Sequence, residues 1–164
     1  MAAQLEELYD RDYYAWALGQ ADELRRLAET RPNAAIDFGH LIEEIEGLAG
    51  DSLNTVLSQL ERLIVHLLKL EYSPAAYPRR AWQLSAVSSR REIQRRLTDR
   101  MRPKIEAELD GAYRHARKVA QAELLERRER QAAGSLPEAS PYPLERLLLE
   151  DWYPATRHGL IDDD

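Results

Sequence analysis

A stripe of apolar residues between positions 37 and 71 constrains the fold more than any other feature of this sequence. Its members recur at steps of three and four, which is the period of one face of an α-helix. Asp37 stands just before the stripe, where a carboxylate can cap the free N–H groups of a first turn. We therefore predict a helix over residues 37–71, about 50 Å long. Its inward positions are Leu41, Ile45, Leu48, Ser52, Val56, Leu60, Leu63, Leu67 and Leu70.

Shorter stripes of the same period follow in segments separated by proline and loop residues. They predict four further helices, over residues 10–30, 81–97, 103–133 and 143–150. Asp10 or Asp12 can cap the first of these, and Pro103 suits the opening turn of another. No segment alternates apolar and polar side chains as a half-buried strand does.

Four long helices with short links predict an all-α fold, namely an antiparallel four-helix up-and-down bundle with a short C-terminal helix. A length of 164 residues suits one domain. We expect that helical-bundle domain over residues 1–154 and a flexible acidic tail over residues 155–164. The sequence has no cysteine, which excludes disulfides, thiolate metal sites and a cysteine nucleophile.

The sequence also favours a cytoplasmic protein of bacterial type. Its start, MAAQLEELYDRD, lacks the basic segment followed by an apolar one that is typical of a secretory signal. The longest apolar runs fall far short of the roughly 20 residues that span a bilayer, so we expect no membrane association.

Charge is distributed unevenly along the chain. The net charge of −6 favours solubility over the binding of nucleic acid along the whole length. Residues 1–78 hold 6 basic and 14 acidic side chains, residues 79–104 hold 9 and 2, and residues 105–164 hold 8 and 13. A basic segment with a net charge of +7 therefore lies between two acidic ones.

Two interpretations fit the basic segment. On a helix its arginines lie on neighbouring flanks, which is typical of a surface that binds an anion or nucleic acid, and the candidates are Arg90, Arg91, Arg95 and Arg96. Tyr77 and Trp82 are close enough in sequence to offer stacking groups. Alternatively the arginines are solvated and pair with the acidic second helix, as is usual for such charge runs, through Glu43, Glu44, Glu46 and Glu61.

The four histidines form no catalytic or metal-binding pattern. A di-iron bundle site needs Glu-x-x-His on two helices, and no histidine here follows a glutamate by three. His40, Glu43 and Glu44 lie on adjacent turns but supply fewer converging ligands than a metal site requires. His66, at the edge of the long stripe, is interpreted as a packing residue. Phosphate-binding glycine motifs are missing too, so we predict no catalytic residue, no metal and no cofactor.

Aromatic side chains cluster near both ends of the chain, where they anchor helix ends or form a partner surface. The candidates for such a surface are Tyr13, Trp16, Trp82 and Trp152. We interpret the protein as a non-enzymatic module that works through protein–protein contact, including self-association. The alternative is a nucleic-acid-associated accessory protein that uses the four arginines, and an enzyme, metal-dependent or otherwise, is the third hypothesis.

Five segments in this order resemble the bacterial domain-of-unknown-function family 29. They are YDRDYYAWALGQADELR (9–25), DFGHLIEEIEGLA (37–49), LERLIVHLLKLEY (60–72), SRREIQRRL (89–97) and SPYPLERLLLEDWYP (140–154). The resemblance departs from the family around residues 121–136, where a longer charged stretch precedes the last segment. It implies a small helical-bundle protein of bacteria, and it offers no catalytic residues to carry over because the family has no established activity.

Overall fold

The computed structural model describes residues 2–158 and, for side chains, residue 4 onward. Helices make up 74% of the described residues and no strand occurs among them, so the all-α prediction is confirmed. The antiparallel arrangement of four helices stays a prediction. Within residues 2–158 there are seven helices: α1 Ala2–Arg11, α2 Tyr13–Thr30, α3 Phe38–Tyr72, α4 Arg79–Arg96, α5 Arg102–Glu126, α6 Arg130–Ser135 and α7 Leu144–Leu147.

Acidic caps start two of these helices. The backbone N–H of Ala15 donates to Asp12 Oδ1 over 2.9 Å, and the N–H of His40 donates to Asp37 Oδ1 over 3.2 Å. Asp12 has a non-helical backbone, with φ −145° and ψ 77°, and it separates α1 from α2. The predicted helix over residues 10–30 is therefore correct from Tyr13, while α1 in front of it was not predicted.

The predicted helix over residues 103–133 is wrong in its continuity, because the chain leaves α5 after Glu126 and the last four predicted residues belong to the separate helix α6. Arg128 lies in the left-handed region with φ 66°, which an α-helix cannot continue through. Its N–H donates to the carbonyl of Leu125, and the N–H of Glu129 donates to that of Leu124, both over 2.9 Å. This is a Schellman motif, in which the last helical carbonyls find donors in the reversing chain.

The chain divides into two compact units, and each has its own buried residues. The first unit comprises Met1–Thr55 with Leu97–Ile105, and the second comprises Val56–Arg96 with Glu106–Asp164. The described buried hydrophobic residues of the first unit are few and half of them are alanines: Ala17, Ala21, Ala49, Leu53, Met101 and Ile105. The second unit has the larger core, which includes the fully buried Leu60, Leu63 and Leu67.

Part of the predicted flexible tail is held in place within the second unit. The backbone N–H of Arg157 donates to the carbonyl of Glu71 over 3.0 Å, and His158 Nε2 lies 2.8 Å from the carbonyl oxygen of Tyr72. Both residues follow the predicted boundary at residue 155, so the chain is still anchored there. Residues 159–164 of the predicted tail lie outside the described residues. No helix within the described part of the chain is long and apolar enough to cross a membrane.

Candidate functional site

The first half of α3 carries an apolar stripe that remains at the surface. Leu41 and Leu48 are 43% and 48% exposed, and the half-buried Ile45 lies between them. We call these three residues the α3 stripe. The buried side of the same segment includes Ala49 and Leu53, and it lies roughly a quarter turn around the helix axis from the α3 stripe. The stripe is thus a separate, open face on a regular helix.

This exposure corrects the prediction that the whole 37–71 stripe points into a core. The prediction is correct from Val56 onward, where the apolar positions are buried, and wrong for Leu41 and Leu48. The first half of α3 belongs to the first unit, whose core is small. That core covers less of the helix surface than the core of the second unit covers on the second half of α3. Periodicity shows which side chains share a face, whereas the tertiary structure decides what covers that face.

Negative charge borders the α3 stripe. Glu44 and Asp51 are exposed, and both lie roughly a fifth of a turn from the stripe on its open side. Between residues 38 and 55 the sequence contains no lysine or arginine. Such a surface favours a partner that offers apolar side chains together with basic ones.

Two of the predicted aromatic candidates form a cluster at the junction of α1 and α2. Tyr13 and Trp16 stack with ring centroids 5.6 Å apart, and Tyr9 meets both rings edge-on at 5.4 and 4.8 Å. Tyr13 and Trp16 are half-buried, while Tyr9 is 48% exposed. The cluster therefore joins the two helices, and one of its rings remains open to a partner.

The other two aromatic candidates serve packing in the second unit. Trp82 is only 7% exposed, with Lys69 Nζ 5.1 Å and the Arg127 guanidinium 5.4 Å from its ring centroid. A partner cannot reach a ring that is covered in this way, so Trp82 does not belong to a contact surface. Trp152 is half-buried and packs edge-on against Tyr142 at 5.6 Å.

Arg90, the first residue of the predicted anion-binding patch, lies inside the protein. It is 2% exposed, and its three guanidinium nitrogens donate to backbone carbonyls. Nε donates to Leu147 over 2.9 Å, Nη1 to Glu150 over 3.0 Å and Nη2 to Trp152 over 2.6 Å. This is a correction of the sequence interpretation: the guanidinium holds the chain after α7 and is not free for an external anion.

The other three predicted patch residues are exposed on α4. Arg95 Nη1 and Arg96 Nε pair with Glu92 of the same helix, over 2.9 and 3.5 Å. Arg91 lines a groove of about 390 Å³ that Glu150 and Asp151 also line, so the charge of the groove is mixed. A groove of mixed charge binds an anion less strongly than a surface with four free arginines would.

Two of the four acidic partners proposed for these arginines are engaged elsewhere. Glu46 pairs with Arg25 of α2, within the first unit. Glu61 Oε2 lies 3.8 Å from His115 Nε2 of α5, within the second unit. The interpretation of α4 as paired to acids of α3 through these two residues is therefore wrong.

His66 lies in a groove of about 320 Å³ that His115, Glu61 and Glu123 also line. Burial, with a smaller contribution from nearby Lys69, lowers the pKa of His66 to about 4. Its Nδ1 is buried and has no hydrogen-bond partner within the described residues. No group of three or more histidine, aspartate or glutamate side chains in residues 4–158 is arranged to hold a metal.

Lowering the pH from 7 to 5 is expected to destabilise the protein through His66. The folded chain binds this proton only near pH 4, whereas the unfolded chain binds it below the ordinary pKa of 6.5. The stability contributed by neutral His66 is therefore complete above pH 6.5 and is lost as the pH falls toward 4. We expect a loss of about 1 to 2 kcal/mol between pH 7 and pH 5, measured by urea denaturation. The His66→Gln variant should lose correspondingly less stability between pH 7 and pH 5. A variant with the same pH dependence of stability as the wild type would contradict this role of His66.

Comparison of the sequence with models of protein families shows which family this helical chain belongs to. The model described as "Domain of unknown function DUF29" matches residues 8–153. The chain belongs to the DUF29 family. A crystal structure of an α-helical protein of unknown function from Rhodospirillum rubrum resembles this DUF29 chain at 29% identity, with a TM-score of 0.76. The similarity covers 87% of this chain and 90% of that one, and no curated protein matches significantly.

Proposed function

We propose that this DUF29 chain is a non-enzymatic protein-interaction module of the bacterial cytoplasm, and that the α3 stripe is its contact surface. The observation that carries this proposal is the exposure of Leu41 and Leu48, at 43% and 48%, on one regular helix. The two leucines are seven residues apart with Ile45 between them, which is the spacing that packs against a partner helix.

The small core of the first unit supports the same proposal. Three of its six described buried hydrophobic residues are alanines, while Tyr9 and Ile36 remain 48% and 52% exposed. A unit of this size buries little apolar surface alone, and contact with a partner would cover more of it. Large exposed apolar side chains that lie close together mark interaction sites more often than isolated ones do.

The nucleic-acid alternative has less support. Arg90, one of its four arginines, is used inside the protein, and Arg95 and Arg96 share Glu92. The exposed cations that remain are fewer than a surface that tracks a phosphate backbone normally offers.

Replacing both leucines of the α3 stripe is expected to abolish partner binding without unfolding the protein. Leu41→Glu with Leu48→Glu places charge on an exposed face, so circular dichroism should be unchanged. Leu125→Glu is the matched control, because Leu125 is 49% exposed on α5 and lies outside the stripe. Light scattering measures self-association, and affinity capture from bacterial lysate measures heterologous contact.

We expect the wild-type chain and Leu125→Glu to behave alike in both assays, with the double variant losing the contact. The proposal fails if the double variant retains every contact that the wild type makes. It fails equally if the wild type is a strict monomer and captures nothing that the double variant loses.

A further inference from the structure

The groove between α4 and the segment after α7 brings charges of both signs together. It lies within the second unit, and its volume is about 390 Å³. It is lined by Val87, Arg90, Arg91, Gln94, Glu150 and Asp151. Small-molecule sites in proteins commonly have volumes of about 300 to 1,000 Å³. The groove is therefore large enough for a small metabolite, and its lining decides which chemical class can bind.

The exposed charges of the groove do not pair with one another across it. In the described part of the chain, the side chains of Arg91, Glu150 and Asp151 make no hydrogen bond and no ion pair. By contrast Arg95, one turn further along α4, pairs with Glu92 over 2.9 Å. Opposite charges that line one groove without contact leave room between them for a ligand that carries both signs.

Arg90 holds the acidic wall of the groove in place. Its guanidinium donates to the carbonyls of Glu150 and Trp152 over 3.0 and 2.6 Å, so the backbone on both sides of Asp151 is fixed. Arg91 is the next residue of α4, and the basic wall therefore belongs to the helix that holds the acidic one. The backbone that carries the opposing charges is thus positioned before a ligand arrives, which lowers the entropy lost on binding.

The charges that line the groove balance one another. Two arginines and two carboxylates give a net charge of zero. Burial lowers the pKa of Arg90, and the nearby Asp151 carboxylate opposes that lowering. A simple anion in the groove would be repelled by the carboxylates, and a simple cation by the arginines. A molecule with one charge of each sign avoids both penalties.

We propose that this groove is a binding site for a free α-amino acid with an aliphatic side chain. The α-carboxylate pairs with Arg91 beside the Gln94 amide. The α-ammonium lies against Glu150 and Asp151, and the aliphatic side chain packs on Val87. This inference goes beyond the proposed function, because the site lies outside the α3 stripe and its ligand is a small molecule.

Titration with leucine and with analogues that each lack one of its charges tests the proposal. The analogues are isoamylamine, which has no carboxylate, and isocaproate, which has no ammonium. NMR of the isotope-labelled full chain measures binding at the amides of residues 87–94 and 147–152. We expect leucine to saturate the site with a Kd of about 1 mM, which suits a ligand of about nine non-hydrogen atoms in an open groove. Each analogue should bind about ten-fold more weakly, since one wall is left without its partner.

Variants that remove charge assign the two walls. Arg91→Gln should weaken leucine binding about ten-fold, and so should Glu150→Gln with Asp151→Asn. Isoamylamine should bind Arg91→Gln no more weakly than the wild type, because it has no carboxylate. Arg95→Gln and Glu145→Gln are the matched controls at exposed positions outside the groove, and both should bind leucine like the wild type. Circular dichroism should show that all variants are folded.

The proposal is overturned if leucine does not saturate the groove at concentrations up to about 10 mM, or if either analogue binds as tightly as leucine. Equal binding of leucine by Arg91→Gln and Arg95→Gln would overturn it as well. Leu41→Glu with Leu48→Glu changes only the α3 stripe, so this variant should bind leucine like the wild type. The proposed function and this inference can therefore fail independently.

Discussion

Replacing Arg90 with methionine is expected to lower the free energy of unfolding by about 3 to 4 kcal/mol. The guanidinium donates to three backbone carbonyls, those of Leu147, Glu150 and Trp152, at 2.6 to 3.0 Å. Hydrogen bonds that involve a charged group contribute about 1.5 to 3 kcal/mol each, and water can replace part of this at the less buried carbonyls. Methionine preserves much of the apolar stem of the side chain, so the loss reports mainly on the missing donors.

Urea denaturation followed by circular dichroism measures this loss, and the melting temperature should fall by roughly 6 to 16 °C. Arg96→Met is the matched control, since Arg96 is exposed and pairs with Glu92 of its own helix, and it should change stability by less than about 0.5 kcal/mol. Arg90→Lys should recover part of the loss, because one ammonium cannot reach all three carbonyls. Equal stability of Arg90→Met and Arg96→Met would contradict a role for Arg90 in holding the chain after α7.

The helices that could be predicted from the sequence are those whose signals are local. Asp12 and Asp37 cap the helices that follow them, and Pro103 lies in the first turn of α5, all within a few residues of the backbone groups concerned. The end of α5 has no comparable signal, because Arg128 adopts the left-handed conformation that glycine or asparagine usually takes. An arginine at that position gives no indication that the helix ends.

The candidate site was predictable only in part, because burial depends on contacts distant in sequence. The period of three and four identified Leu41 and Leu48 as one face with Leu63, yet only the second half of that face is covered. Arg90 was grouped with exposed arginines on the same grounds of spacing. Its acceptors lie 57 to 62 residues further along the chain, and they are backbone carbonyls, which any residue provides.

Arg117 is a second arginine whose structural role could not be predicted from the sequence. Its guanidinium donates to the carbonyls of Leu136 and Pro137 over 2.8 to 3.3 Å, so a second arginine holds a loop of the second unit from within. A count of charges treats every arginine as solvated. Here part of the positive charge satisfies loop carbonyls, and the exposed charge is correspondingly smaller than the sequence suggests.

Replacing Glu71 with alanine is expected to destabilise the protein by about 2 to 3 kcal/mol, because this carboxylate joins two segments to the end of α3. The hydroxyl of Tyr142, a residue that is 3% exposed, donates to Glu71 Oε2. Arg157 Nε donates to Glu71 Oε1 over 3.2 Å. Burial and the bond to Glu71 raise the pKa of Tyr142, so its phenol remains a donor across the range in which the protein is studied. Alanine leaves that buried hydroxyl without an acceptor.

A double-mutant cycle separates the contribution of the Tyr142 bond from that of Arg157. Tyr142→Phe removes the hydroxyl together with its need for an acceptor, so it should cost about 1 kcal/mol, less than Glu71→Ala. The coupling energy between the two positions should be about 1 kcal/mol, and Glu71→Gln should retain part of it because an amide oxygen still accepts the hydroxyl. Glu145→Ala, at an exposed position of α7, is the control and should be nearly neutral. Strictly additive effects of Glu71→Ala and Tyr142→Phe would mean that the carboxylate does not hold Tyr142 in solution.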